Sequence, residues 1–241
     1  MIKLVTVITA TFNASPHLQF LANSLRNQTT KEFDWIVADG GSIDNTLDII
    51  KENEDIIDNI LRGPDFGIYD ALNKAILKVS TPYYLFVGAD DVLSPMAIEL
   101  YTKAAHASLA DIISANVQTT DGELMCSGRG HAWRYGHLAY VSQHAVGTLI
   151  KKSIHRDVGV YSKLYPIAAD RFFLLNAINV HKCSIYSADF IAGIYSCNGI
   201  SSTKRYEATL DIFKVDYALS KFPFWMALVG LFKYALNMRR F

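Results

Sequence analysis

The chain has 241 residues, 51% of them hydrophobic, and its 23 lysines and arginines balance 23 aspartates and glutamates. Zero net charge argues against a general nucleic-acid binder, which would carry a basic footprint. The length suits one large α/β domain or two small ones, with ample material for a core. Cys126, Cys183 and Cys197 show neither metal-ligand spacing nor an even framework, so a reducing, cytosolic setting is expected. The N-terminus enters a strand at once, and no signal peptide is expected.

Residues 2–10 (IKLVTVITA) are β-branched and aliphatic, which predicts a first buried strand. It ends at Thr11-Phe12-Asn13, and Ser15-Pro16 then offers a cap and proline to start a helix reaching about residue 27. Residues 33–38 predict a second strand, ending at Asp39-Gly40-Gly41-Ser42. Asp44, Asn45 or Thr46 caps a short amphipathic helix, and residues 56–61 predict a third strand. The turn-rich Gly63-Pro64-Asp65-Phe66-Gly67 leads into a helix over residues 69–78. Residues 83–87 (YYLFV) are apolar without alternation, the pattern of a strand buried on both faces in a parallel sheet. This strand stops on Gly88-Ala89-Asp90-Asp91, with Ser94 and Pro95 as the expected start of the next helix.

A βαβαβαβ alternation, with each polar loop falling after a strand, predicts a doubly wound nucleotide-binding half. Ligands in such sheets bind at the carboxyl ends of the strands. Two adjacent carboxylates repel, so a site that keeps both ionised supplies a cation. A hard ion such as Mg²⁺ or Mn²⁺, shared with substrate phosphates, fits best. The bland alternative is a solvated loop whose aspartates cap the following helix. Neither a Gly-x-Gly-x-x-Gly turn nor a phosphate loop with Gly-Lys-Ser/Thr is present. Metal neutralisation is the physical substitute.

From residue 110 the pattern changes. Residues 111–118 read as a strand, Asp121-Gly122 as a hairpin turn and 123–126 as its return. Residues 127–140 read as neither helix nor strand. Residues 145–150 read as a strand, 153–158 and 170–180 as helices, and 185–195 as a late strand.

Four blocks in the first hundred residues resemble the inverting glycosyltransferases of family 2. They are Thr9-Ala10-Thr11-Phe12-Asn13, Asp39-Gly40-Gly41-Ser42 with Asp44-Asn45-Thr46, Asp65-x-Gly67-Ile68-Tyr69-Asp70-Ala71-Leu72-Asn73-Lys74, and Gly88-Ala89-Asp90-Asp91. The resemblance implies a GT-A fold, a Rossmann-like, mainly parallel mixed sheet flanked by helices. It also implies nucleotide-diphospho-sugar donors and an Mn²⁺ or Mg²⁺ ion. The implied organisation is one domain over residues 1–215, with a nucleotide-sugar half at 1–100 and an acceptor half at 101–215. Residues 216–241 then form a C-terminal amphipathic tail.

The same resemblance implies site roles. Thr9 and Asp39 would line the base pocket, Asp39 accepting from a uracil imide, with Thr11, Asn13 and Gly40 in the same donor-binding blocks. Asp90 would face the ribose, and Asp91 would ligate the metal. Asp65, Gly67, Tyr69, Asp70 and Asn73 would lie near the donor sugar and diphosphate. Helix capping is the alternative for Asp44 and Asn45, and helix packing for Tyr69 and Asn73.

The acceptor hydroxyl needs a base on the opposite face of the sugar. Asp170, in Ile167-Ala168-Ala169-Asp170-Arg171-Phe172, fits both that need and the family's Ala-Asp-aromatic context. The alternative is an N-cap, worth about 1 kcal/mol. Three places depart from the family's pattern. Gln143-His144 stands in reversed order, and His144 is either a packed histidine or an acceptor contact. Phe66 stands where a lysine is common. Residues 198–202 (NGISS) are either a β-turn or a loop closing on the diphosphate, with Lys204 and Arg205 as phosphate-facing cations.

Residues 222–232 (FPFWMALVGLF) are apolar all round and flanked by Lys221, Lys233, Arg239 and Arg240. This run is shorter than the ~20 residues of a spanning helix and suits a segment lying in a membrane surface. A helix docked on the domain or on a partner subunit is the alternative. The expected protein is a cytoplasmic glycosyltransferase using a UDP-sugar and a glycan or lipid-linked acceptor. It would contact the cytosolic face of the inner membrane through residues 222–240. The rival classes are a catalytically silent sugar-nucleotide-binding scaffold and a nucleotidyltransferase. The latter would need a glycine-rich basic loop that Thr11-Phe12-Asn13-Ala14 does not supply.

Overall fold

A computed structural model describes residues 3–127, 141–142, 144–196 and 204–219. Its spine is a set of parallel strands. β1 (Val5–Thr11) pairs with β2 (Phe33–Asp39) on one side and β4 (Tyr83–Phe86) on the other, and β3 (Asn59–Arg62) adds to β2. The register puts Thr11 beside Asp39 and Asp39 beside Arg62, so the polar ends of three strands reach one sheet edge together. β8 (Thr148–Lys151) lies antiparallel between β4 and β6 (Ile112–Thr119). β9 (Ile185–Tyr195) runs parallel to β6, β7 (Leu124–Met125) closes the expected hairpin, and β5 (Val92–Leu93) returns onto β9. The described strands form one nine-stranded mixed sheet, ordered β3-β2-β1-β4-β8-β6-β9-β5 with β7 on β6.

Alternation in the strands serves two layers of helices. Val5, Val7, Trp35, Val37 and Leu85 face α1 (Leu18–Arg26) and α4 (Ala97–Ser108), where Leu18, Leu21, Ile98 and Tyr101 are buried. α2 (Thr46–Glu52) lies against this layer through Ile50. Ile8, Ile36, Ala38 and Tyr84 face α3 (Ile68–Lys78) and α6 (Ala169–Asn179). Each fully buried leucine contributes roughly 2 kcal/mol. α5 (His155–Val158) is short, and α7 (Arg205–Ala218) packs Val215 against Ala168 and Leu175.

Two expectations need correction. Ser94 and Pro95 do not open a helix directly after the acidic pair. Val92 and Leu93 form β5, the Ser94 amide continues that ladder to the Ala192 carbonyl, and α4 begins at Ala97. Residues 145–150 do not form one strand, because 145–147 make a 3₁₀ turn before β8. The long-range partner β9 decides the first, which local propensity does not report. Among the described residues no helix is long and apolar enough to cross a membrane. Residues 220–241 of the tail and residues 198–202 lie outside the described residues, while 216–218 continue α7.

Candidate active site

The loops after β1, β2 and β3 are knotted together at the carboxyl edge. Asp39 is buried, and its carboxylate accepts four donors: the amides of Gly41 and Ser42 on Oδ1, and the hydroxyls of Thr11 and Ser42 on Oδ2. A carboxylate offers about four acceptor positions. Asp39 therefore shapes the turn, and a uracil imide would reach it by displacing one of these hydroxyls. Thr9 is fully buried, and its hydroxyl accepts from the Trp35 indole, which sets it in the core.

Asn13 adopts a left-handed φ of 50°, donates its amide to the Ser42 hydroxyl and accepts the Ile43 amide on its side chain. Asp44 accepts the Thr46 amide and hydroxyl and the Ser15 amide, which lowers its carboxyl to about 2 and ties α2 to the start of α1. That is the capping role allowed for it, and Asn45 makes no side-chain cap bond. Asp65 lies against Gly40 and accepts the Gly67 amide, with Gly67 at a φ of 104° that a side chain would strain.

The helix that follows holds three of the expected donor residues, and each is engaged within the protein. Asp70 is buried between Lys74 at 2.9 Å and Lys163 at 2.7 Å, whose charges hold its carboxyl well below the usual range. Asn73 clasps Tyr161, donating to its carbonyl and accepting its amide. Tyr69 reaches Asp170 at 2.9 Å. Asp70 and Asn73 are thus structural ties. Lys163 also stands 5.4 Å over the exposed Phe66 ring, so a cation reaches this loop from a part of the chain that no local motif marks.

Beyond β4, Asp90 and Asp91 turn back on Gly88. A β-carbon there would stand 2.8 Å from Asp91 Oδ2 and 3.0 Å from Asp90 Oδ1, so only glycine allows both carboxylates to crowd this point. Asp91 is buried, accepting the Gly88 and Ser196 amides, and burial followed by the charge of Asp90 pushes its carboxyl up to about 7. Two converging acidic oxygens with one carboxyl held partly protonated are the chemistry that a hard divalent ion relieves. The pair therefore fits a metal, although no cluster of three or more acidic, His or Cys ligands occurs among the described residues.

Asp170 does not cap its helix. Ala168 occupies that position without a side-chain bond, and Asp170 lies in the first turn. Its Oδ1 accepts the Arg171 amide and the Tyr69 hydroxyl. The carboxyl keeps solvent access yet is crowded by protein, and desolvation raises its pKa above the usual range. The Arg171 guanidinium pairs with Asp216 on α7. His144 is half-buried, stacks on Tyr195 at 4.1 Å and falls to about 4 by desolvation, the packed alternative for that residue. Gln143 lies outside the described residues. Ser196, Lys163, Asp211 and Asp216 went unmarked in the sequence, because each meets the site through a distant contact.

The fold, a mainly parallel sheet with helices on both faces, is that of the GT-A nucleotide-sugar glycosyltransferases. The glycosyl transferase family 2 model matches residues 6–191, and the chain belongs to that family of enzymes. It is 36% identical over 210 residues to a PGL/p-HBAD biosynthesis glycosyltransferase of Mycobacterium bovis, covering 82% of this chain and 79% of the relative. Structurally it resembles S. aureus TarS 1-349 in complex with UDP-GlcNAc, with a TM-score of 0.74 and 18% identity. That match covers 90% of this chain and 65% of the other. It also resembles the mannosyltransferase PcManGT of Pyrobaculum calidifontis in complex with GDP-Man and Mn²⁺, with a TM-score of 0.67 and 14% identity. There the match covers 90% of this chain and 64% of the other. This chain thus spans less than two thirds of either solved chain.

Proposed function

We propose that this enzyme is a metal-dependent inverting glycosyltransferase. It moves a sugar from a nucleotide-diphospho-sugar, a UDP-sugar, to a hydroxyl of a glycan or lipid-linked acceptor. The observation that carries this reading is the convergence of Asp90 and Asp91 on Gly88 at the carboxyl edge of the sheet. Asp170 joins the helix that opens beside the same loops through Tyr69. Asp91, with Asp90 beside it, would hold Mn²⁺ or Mg²⁺. When bound, that ion supplies charge stabilisation to the diphosphate as it leaves. Asp90 also faces the ribose, while Gly40, Asp65 and Gly67 form the wall against which the donor lies. Asp170 takes the proton of the attacking hydroxyl on the opposite side of the sugar. Its raised carboxyl brings it closer to the operating pH that a general base needs. The complexes of the solved relatives with UDP-GlcNAc and with GDP-Man and Mn²⁺ support a sugar-nucleotide donor and a divalent ion. The apolar, basic-flanked residues 222–240 support an acceptor presented at the cytosolic face of a membrane.

Thermal-shift screening of UDP-, GDP- and dTDP-sugars with and without Mn²⁺ tests the donor. Stabilisation by a UDP-sugar that requires Mn²⁺ is expected. A preference for GDP or dTDP, or binding indifferent to metal, would overturn that part. Asp170→Asn should keep donor affinity and lose about 10²–10⁴ in turnover. Near-normal turnover would place the base elsewhere.

A further inference from the structure

The Tyr69 hydroxyl faces two acceptors at once, Asp170 Oδ1 at 2.9 Å and the Ile167 carbonyl at 3.0 Å. A phenol has one proton to give, so it serves one of these fully at a time. Oδ1 also takes the Arg171 amide at 2.7 Å, while Oδ2 has no protein donor among the described residues. The segment is held from behind, since Asp211 on α7 accepts the Ile167 amide at 3.0 Å. Ile167 is therefore gripped on its carbonyl side by α3 and on its amide side by α7. We propose that Tyr69 is the positioning residue for Asp170, pinning Oδ1 so that Oδ2 is presented outward, and turning to the Ile167 carbonyl once Asp170 carries a proton.

The inference rests on the reading of Asp170 as the base, and it adds what makes that base usable. Ionised, the carboxylate keeps a donor that opposes the desolvation of its site. Protonated on Oδ2, Oδ1 becomes a weaker acceptor, and the hydroxyl finds the carbonyl with little movement. Neither state strands a buried polar group. The titratable and charged groups around Asp170 are Tyr69 on α3, Tyr161 before α6, Arg171 on α6, and Asp211 and Asp216 on α7. Asp211 and Asp216 are engaged with the Ile167 amide and with Arg171. Of their side chains, only that of Tyr69 donates to Asp170.

The test is a carboxyl ¹³C-NMR titration of the whole protein labelled in aspartate, with the Asp170 signal identified by its loss in Asp170→Asn. Tyr69→Phe keeps the ring and removes the hydroxyl. The Asp170 midpoint should move to higher pH, proton binding tightening about tenfold. Tyr161→Phe removes a neighbouring hydroxyl that bonds Tyr84 and should leave the midpoint in place. An unmoved midpoint in Tyr69→Phe, or an equal shift in Tyr161→Phe, overturns the inference. Retained turnover in Asp170→Asn would instead defeat the base assignment, and the titration would still decide whether Tyr69 governs that carboxyl.

Discussion

The Asp65 carboxylate rests against the α-carbon of Gly40, so close that a β-carbon there would stand 2.5 Å from Oδ2. The contact joins the loop after β2 to the loop after β3, and only a residue without a side chain permits it. Gly40→Ala should push Asp65 off its place at little cost in stability, because the atoms displaced are the free end of a half-buried side chain. Donor affinity should fall further than the loss of stability accounts for. Calorimetric titration of UDP alongside thermal unfolding checks both, and unchanged affinity would remove this wall from the donor site.

Asp91 ties stability to pH and metal. Its carboxyl is raised by burial, so the folded protein holds a proton that the unfolded chain releases near pH 4. The associated stability is fully present below that point and is lost as pH rises through about 7. Without divalent ions, Asp91 should therefore lose the protein on the order of a few kcal/mol between about pH 4 and about pH 7. His144 opposes that slope, since its lowered pKa adds stability as pH rises over the same window. Mn²⁺ should offset the Asp91 contribution by binding the ionised form, and Asp91→Asn should remove that contribution and abolish Mn²⁺-dependent UDP binding. Equal pH profiles for the metal-free protein and its Asp91→Asn variant would contradict the burial argument.

Asp211 is buried and accepts the Ile167 amide, which holds the segment leading to Asp170. Asp211→Ala leaves that amide without its partner, at about 1–3 kcal/mol. Turnover should drop while the donor KM stays near its original value, since the donor loops lie elsewhere. Steady-state kinetics against donor concentration separates the two.

Removing residues 222–241 takes away the apolar run and three basic residues, Lys233, Arg239 and Arg240, while Lys221 stays. The shortened protein should leave vesicles of anionic lipid that retain the full chain, most clearly at low salt. Equal partition of both forms would defeat the membrane reading.

Much of the donor half was legible because each β-strand and its loop are neighbours in the chain. The run of residues 83–87 announced a doubly buried strand, and its acidic end followed directly. The late strand was read with the bounds it has, Ile185–Tyr195. What local pattern could not show was where polar groups spend their hydrogen bonds. Thr9 and Asp39 are equally polar strand-end residues on paper. Trp35 claims the first and four donors claim the second. Asn73 and Asp70 were drawn toward the donor by motif, but Tyr161 and Lys163, some ninety residues away, hold them. The two-residue β5 was hidden for the same reason, since its partner lies a hundred residues downstream.

Strand β8, contributed from residues 148–151, is what covers the flank of β4. A fragment cut near residue 100 would bare that flank, leaving a row of open amides and carbonyls beside Tyr83 and Leu85 that invites stacking with other molecules. Chimeras that splice the first hundred residues of one homologue onto the remainder of another must therefore match this β4–β8 seam. Exchanging surface loops is the safer route to altered acceptor preference.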